Sequence, residues 1–158
     1  MPAPPGGRAW EELMDRALLL ARRGAEAGEV PVGALVIGRG GEILAETHNS
    51  PACLSDPTAH AEILALRAAG RALGNYRLGG CTLVVTLEPC PMCAAALVHA
   101  RLDGLVFGAA DEAAGAVVSR AEYLNMPANR KIWHMGGVRA RDCAVVLRDF
   151  FARKRAGG

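Results

Sequence analysis

The chain predicts a three-layer α/β domain, with helices on both faces of a central sheet. Three observations lead there. Segments with helical and strand character alternate in the order helix, hairpin, helix, strand, helix, strand, helix. Two of the strand segments, VPVGALVIG at 30–38 and CTLVVTL at 81–87, are apolar β-branched runs of strand length. The 158 residues, 51% of them hydrophobic, suffice for one compact domain with a core.

Each element has its own signal. Residues 1–9 are rich in Pro and Gly and are expected to be a disordered tail, with 10–155 one domain and 156–158 a second short tail. From Trp10 to about Glu26, Leu13, Ala17, Leu20 and Ala21 recur at helical spacing among Glu11, Asp15, Arg16, Arg22 and Arg23, and Gly24 or Gly28 closes this amphipathic helix. Val32–Ile37 and Glu42–His48, joined across Gly40-Gly41, read as a hairpin. The loop 49–59 carries Asn49, Pro51, Cys53 and Pro57, with Asp56 or Thr58 placed to cap the next helix. That helix runs from His60 to about Leu73, with Ile63, Leu64 and Leu66 on its apolar face and Gly74 at its end. Cys81–Leu87 is a buried strand that leads through Glu88-Pro89 into a helix from Pro91 to about Ala100, where proline suits the first helical position. A strand at 104–108 and a short helix at 116–124 follow; 125–138 is irregular or holds one more short strand. Arg141 to about Lys154 is a last amphipathic helix with Val145, Val146, Phe150 and Phe151 inward.

Composition narrows the functional class. A net charge of +2 and a pI near 8.4 neither demand nor exclude a nucleic-acid partner. All basic residues except Lys131 and Lys154 are arginine. Five cysteines make an odd set, and Cys90 and Cys93 have metal spacing instead of a scattered disulfide framework. The start MPAPPGGRAW has no apolar stretch of the kind a secretory signal needs, and no apolar run reaches membrane-span length. A reducing cytoplasm is therefore the expected location, with no membrane partner.

The chemistry lies between Asp56 and Cys93. His60-Ala61-Glu62 opens one helix, and Pro89-Cys90-Pro91-Met92-Cys93 opens the next. One imidazole and two thiolates are one ligand short of a closed tetrahedral zinc site, and they match a catalytic zinc that keeps a water position open. Glu62 is near enough to exchange protons with that water without being a ligand. A helix N-terminus also favours the thiolate form of Cys90 and Cys93. Taken singly each motif is weak, since a lone CxxC can be structural or redox-active. Together, each opening a helix on one sheet, they place both N-termini where they can converge over one sheet edge. Cys53, Cys81 and Cys143 lack spaced partners and read as core or loop residues, and His48, His99 and His134 read as packing or surface. The basic C-terminal third, from Arg120 to Arg155, is either a solvated helix face or a phosphate-contacting patch.

The H-x-E and P-C-x-x-C pair is the pattern of zinc nucleobase deaminases. Further stretches narrow the likeness: EVPVGA at 29–34, HN at 48–49, DPTAHAEILALR at 56–67, NYRL at 75–78, TLEPCPMC at 86–93, VFGAAD at 106–111 and CAVVLRDFFARKR at 143–155. With these the chain resembles the bacterial tRNA-specific adenosine deaminases, which convert the wobble adenosine of an arginine tRNA to inosine. The resemblance covers roughly 10–111 and 138–155. It implies a cytidine deaminase-like fold with a mixed five-stranded central sheet. It implies one zinc per subunit, with a bound water or hydroxide, on His60, Cys90 and Cys93, and Glu62 as the catalytic proton shuttle. Asn49 would hydrogen-bond the flipped base or its ribose, and Asp111 would meet the ribose edge. Val32 and Leu87 would wall the base pocket, and Phe150 and Phe151 of the basic tail would add substrate contacts. The resemblance further implies a homodimer with the tRNA anticodon loop across both subunits. The chain departs from the family between 112 and 137, where EAAGAVVSRAEYLNMPANRKIWHMGG replaces a Lys-Thr-Gly-like stretch and a segment ending in Asn-His.

Two other readings compete. A free-base or nucleotide deaminase for guanine or cytosine would share both zinc motifs; Asn49, Asp111 and the Phe-bearing basic tail favour an extended RNA instead. A non-catalytic zinc-stabilised binding module would leave Glu62 and the missing fourth ligand without a purpose.

Overall fold

Strands β1 (Gly33–Ile37), β2 (Ile43–His48), β3 (Thr82–Leu87), β4 (Gly104–Ala109) and β5 (Trp133–Met135) form one sheet in the order β2-β1-β3-β4-β5 in the computed structural model, which describes residues 2–157. β1 pairs antiparallel with β2 and with β3, whereas β3–β4 and β4–β5 are parallel. Parallel neighbours need a crossover, and α4 (Pro91–His99) supplies the one from β3 to β4. The mixed five-stranded sheet with helices on both faces is the architecture expected from the sequence.

Alternation along the strands divides the core in two. Ala34, Val36, Leu83, Val85, Leu105 and Phe107 face α3 (Ala61–Leu73) and α4, meeting Ala61, Ala65, Ala69, Ala94 and Leu97. The intervening Leu35, Ile37, Val84 and Val106 face α1 (Trp10–Glu26) and α5 (Ala140–Gly157), meeting Leu13, Met14, Ala17, Leu18 and Cys143. Strands covered on both faces have no polar alternation, which is why 30–38 and 81–87 read as unbroken apolar runs.

Several expectations are corrected here. The sheet-facing side of α3 is the alanine row Ala61, Ala65, Ala69, and Ile63, Leu64 and Leu66 are only half-buried. Short alanine side chains let the helix lie close to β1 and β2, and Ile63 and Leu66 line an open groove beside α4. Gly28, with φ +84, follows the last turn of α1, whereas Gly24 lies inside the helix against the His48 ring. The loop 49–59 contains one helical turn, α2 (Pro51–Leu54). The expected helix at 116–124 is instead a series of turns and a 3-10 turn at Tyr123–Asn125, because a buried carboxylate draws its amides out of helical register. Phe150 is buried as expected, but Phe151 is 44% exposed, since the two consecutive residues point to different sides of α5. Within the segment assigned to a tail, Pro5–Gly7 make a 3-10 turn and the Trp10 indole donates to the Pro2 carbonyl at 3.1 Å; α5 continues to Gly157. Among the described residues no helix is long and apolar enough to cross a membrane.

The close approach of α1 to the sheet depends on Gly33, where an added Cβ would lie 2.0 Å from the Ala17 carbonyl oxygen. Backbone cannot yield as a side-chain tip can. Gly33→Ala is expected to lower stability to urea by about 1–3 kcal/mol or more, without altering a surface group.

Candidate active site

The site is built from two helix starts, that of α3 after β2 and that of α4 after β3, at the end of the sheet where β2 and β3 both terminate. His60 is the N-cap residue of α3 and Cys90 that of α4; both have extended backbone, and neither side chain caps its own helix. Each is therefore free to turn toward the other. The helix-capping duty expected of Asp56 or Thr58 falls elsewhere. Asp56 Oδ1 accepts from the Thr58 amide and hydroxyl, and Asn49 Oδ1 accepts the Ala61 N–H at 2.8 Å. Asn49, at the end of β2, thereby fixes the start of α3 from outside the helix.

His60 Nδ1 lies 3.6 Å from Cys90 Sγ and 3.5 Å from Cys93 Sγ, and the three ligand atoms lie within 4.8 Å of one another. A tetrahedral zinc with Zn–N near 2.0–2.1 Å and Zn–S near 2.3 Å sets its nitrogen and sulfur about 3.6 Å apart. The trio thus fits zinc in both chemistry and spacing, with three protein ligands. Hydrogen bonding from Cys93 and from the His60 ring holds the Cys90 thiol down to about 4, whereas the same pairing and burial push Cys93 up. A divalent cation bound here would take the place of the thiol protons.

Glu62, the second residue of α3, is buried, and burial raises its carboxyl above the ordinary range. A buried carboxyl whose affinity for a proton is raised by desolvation, two residues from the trio's imidazole, is equipped for proton transfer.

Two carboxylates that the sequence reading passed over shape the surroundings. Glu88 is 1% exposed and accepts the N–H groups of Asp111, Val117, Val118 and Ser119 at 2.9–3.1 Å, together with the Ser119 hydroxyl. Glu29, also buried, accepts the amides of Ala52 (3.2 Å) and Cys53 (2.8 Å) and so holds α2, in the loop between Asn49 and His60. The one sequence sign available was their position beside motif residues, at the head of EVPVGA and within LEPC.

The other expected site residues have mixed surroundings. Asp111 is half-buried at the end of β4, and its Oδ1 accepts the amides of Ala113 and Ala114, each at 3.1 Å. Its second oxygen is not so engaged. Val32 is 4% exposed and belongs to the core on the α3 side; Leu87 is half-buried at the last position of β3. Phe150 and Phe151 stack edge-to-face near the end of α5, with Lys154 above the Phe150 ring. Cys81 and Cys143 are buried and Cys53 is exposed, outside the metal trio as expected.

The Glu29 anchor has a pH signature. Hydrogen bonds from Cys53 and Ala52 outweigh burial and hold its carboxyl below the ordinary range. A depressed folded value contributes stability that is complete above the unfolded pKa, about 4.3, and is lost as pH falls through the folded one. Melting temperatures followed downward from pH 6 should fall less steeply below about pH 4.3 in Glu29→Gln than in wild type.

Comparison with known proteins agrees with this geometry. The cytidine and deoxycytidylate deaminase zinc-binding region matches residues 8–109. A tRNA-specific adenosine deaminase of Haemophilus influenzae is 44% identical over 146 residues, covering 92% of this chain and 84% of that protein. A tRNA(Ile)-lysidine synthase of Deinococcus deserti is 50% identical over 142 residues, 90% of this chain; the chain spans only 27% of that protein's length. A solved tRNA:A34 deaminase, studied for A-to-I editing at the wobble position, superposes with a TM-score of 0.83 at 41% identity, covering 86% of this chain and 99% of that one. A guanine deaminase from Nitrosomonas europaea superposes with a TM-score of 0.79 at 26% identity, covering 90% and 84%. On sequence, fold and site together, the chain belongs to the cytidine and deoxycytidylate deaminase zinc-binding family, in its branch of tRNA-specific adenosine deaminases.

Proposed function

We propose that this chain is a zinc-dependent hydrolase that deaminates the wobble adenosine of an arginine tRNA anticodon to inosine. The observation that carries the chemistry is the His60–Cys90–Cys93 trio at zinc spacing with Glu62 buried beside it. The relatives named above support the substrate.

When bound by His60, Cys90 and Cys93, zinc supplies the Lewis acidity that makes a water nucleophilic near neutral pH. Glu62 would take one proton from the attacking water and deliver it to N1 of adenine, next to the carbon under attack. Addition of the hydroxyl at C6 would give a tetrahedral centre; Glu62 would then take the remaining hydroxyl proton and pass it to the amine, the C6–N bond breaking to leave ammonia and inosine. Asn49 uses Oδ1 on Ala61, so its Nδ2 is the donor left for the base or ribose. Asp111 likewise offers its second carboxylate oxygen to the ribose edge, where a 2′-hydroxyl distinguishes RNA. Leu87 and Val32 wall the base, and the Phe150–Phe151 end of α5 flanks the RNA. An anticodon loop is already unpaired, which keeps the cost of extruding its base small.

The working form is read as a homodimer in the cytoplasm, each copy one deaminase domain over 10–155. A groove of about 710 Å³ between α3 and α4, lined by Ile63, Leu66, Tyr76, Ala96 and Ala100, supports a second copy there, and Tyr76 is 66% exposed.

The test offers zinc-loaded protein an arginine-tRNA anticodon stem-loop beside free adenine, adenosine, guanine and cytosine. Inosine formed at the wobble position alone is expected. Ammonia released from a free base, with the stem-loop untouched, would overturn the substrate in favour of a free-base deaminase like the guanine enzyme. Glu62→Gln is expected to keep zinc yet lose about 10²–10⁴-fold in turnover. Cys93→Ala should lose zinc, with a lower melting temperature, by metal analysis and thermal unfolding.

A further inference from the structure

Glu88 stands two residues before Cys90 and, with Pro89, links β3 to the metal trio. Its carboxylate is bonded by amides and a hydroxyl of residues 111–119, not by a cation. The same junction is tied twice more through the backbone: the Glu88 N–H donates to the Ala109 carbonyl at 2.9 Å, and the Ala116 N–H donates to the Pro89 carbonyl at 2.8 Å. Asp111, at the head of this loop, is therefore located relative to Cys90 by Glu88 itself. Four of the donors are main-chain N–H groups, so the attachment does not depend on the loop's side chains. Glu112, Val118 and Arg120 are exposed although the Val118 amide is bound. This is also where the sequence leaves the family pattern. Gly115 completes the arrangement, since a Cβ there would stand 2.3–2.5 Å from the Glu88 carboxylate atoms.

We propose that Glu88 is a positioning residue for substrate: through backbone amides it fixes the 111–119 loop, with Asp111 at its head, as one wall of the substrate site beside the metal trio. Exposed side chains then sit on a backbone frame held by Glu88, which lets the loop contact RNA flanking the target base without moving Asp111. The role rests on the deaminase reading above. It assigns Glu88 to binding and not to the chemical step.

The experiment compares wild type, Glu88→Gln, Gly115→Ala and Ser119→Ala as full-length, zinc-loaded proteins on the anticodon stem-loop. Glu88→Gln and Gly115→Ala should raise KM about tenfold or more, with kcat within about twofold and zinc content unchanged; Ser119→Ala, which keeps the main-chain donors, should fall between. An unchanged KM would overturn the proposal. So would joint loss of zinc and kcat, which would make Glu88 a support for Cys90 alone. If Glu88→Gln does not fold, Gly115→Ala decides, because it keeps the carboxylate and displaces it sterically. Should the wild type ignore the stem-loop and turn over a base or nucleoside from the panel, the substrate reading fails. The same variants are then compared on that molecule, with the same two outcomes.

Discussion

His60 Nδ1 can reach both sulfurs only if α3 and α4 begin within a few ångströms of each other at one end of the sheet. Most of the architecture serves that meeting. β3 delivers Cys90 to the C-terminal edge and α4 starts at once, so Cys93 returns to the same point one turn later. On the other side, the alanine row of α3 brings the helix close to β1 and β2, which sets the height of His60 above the sheet. Asn49 closes the arrangement by satisfying the first amide of α3, so that His60 need not cap its own helix.

Around the trio the polar groups are held by buried acceptors. Glu29 secures the segment leading into His60, and Glu88 secures the loop that follows β4. Among the described residues neither carboxylate has a cation partner, and each replaces lost hydration with two or more amide donors. Such an acceptor can organise an irregular loop that helix or sheet hydrogen bonds could not, leaving the loop's outer face open to contact a ligand. Rigid strands and helix starts hold the His60–Cys90–Cys93 trio, while loops pinned by carboxylates hold the residues proposed to face substrate.

Sequence periodicity made the long elements legible. α1 and α5 show amphipathic spacing, and β1 and β3 show runs of β-branched residues long enough to be distinct. The metal trio was legible because CxxC and H-x-E have fixed spacing tied to ligand chemistry. The missed features share a different physics. Glu88 bonds to amides 23 to 31 residues away, and such long-range capping leaves no periodic trace. The same bonds turned the expected helix at 116–124 into turns, overriding local propensity. The alanine row of α3 was not legible beside its apolar Ile63, Leu64 and Leu66, because hydrophobicity ranks Ile and Leu above Ala, whereas close packing on a sheet favours the smaller residue. β5, three residues including Trp133 and His134, is too short for alternation to show and exists through its parallel pairing with β4.

Zinc held by His60, Cys90 and Cys93 would take three ligands from the chain and keep one position for water. X-ray absorption at the zinc edge of the loaded protein measures this coordination directly. Two sulfur neighbours near 2.3 Å and two lighter nitrogen or oxygen neighbours near 2.0–2.1 Å are expected, the second lighter one lost or exchanged when a competing small ligand is added. A shell of three or more sulfurs, or one unresponsive to added ligand, would describe a closed structural site and contradict the account.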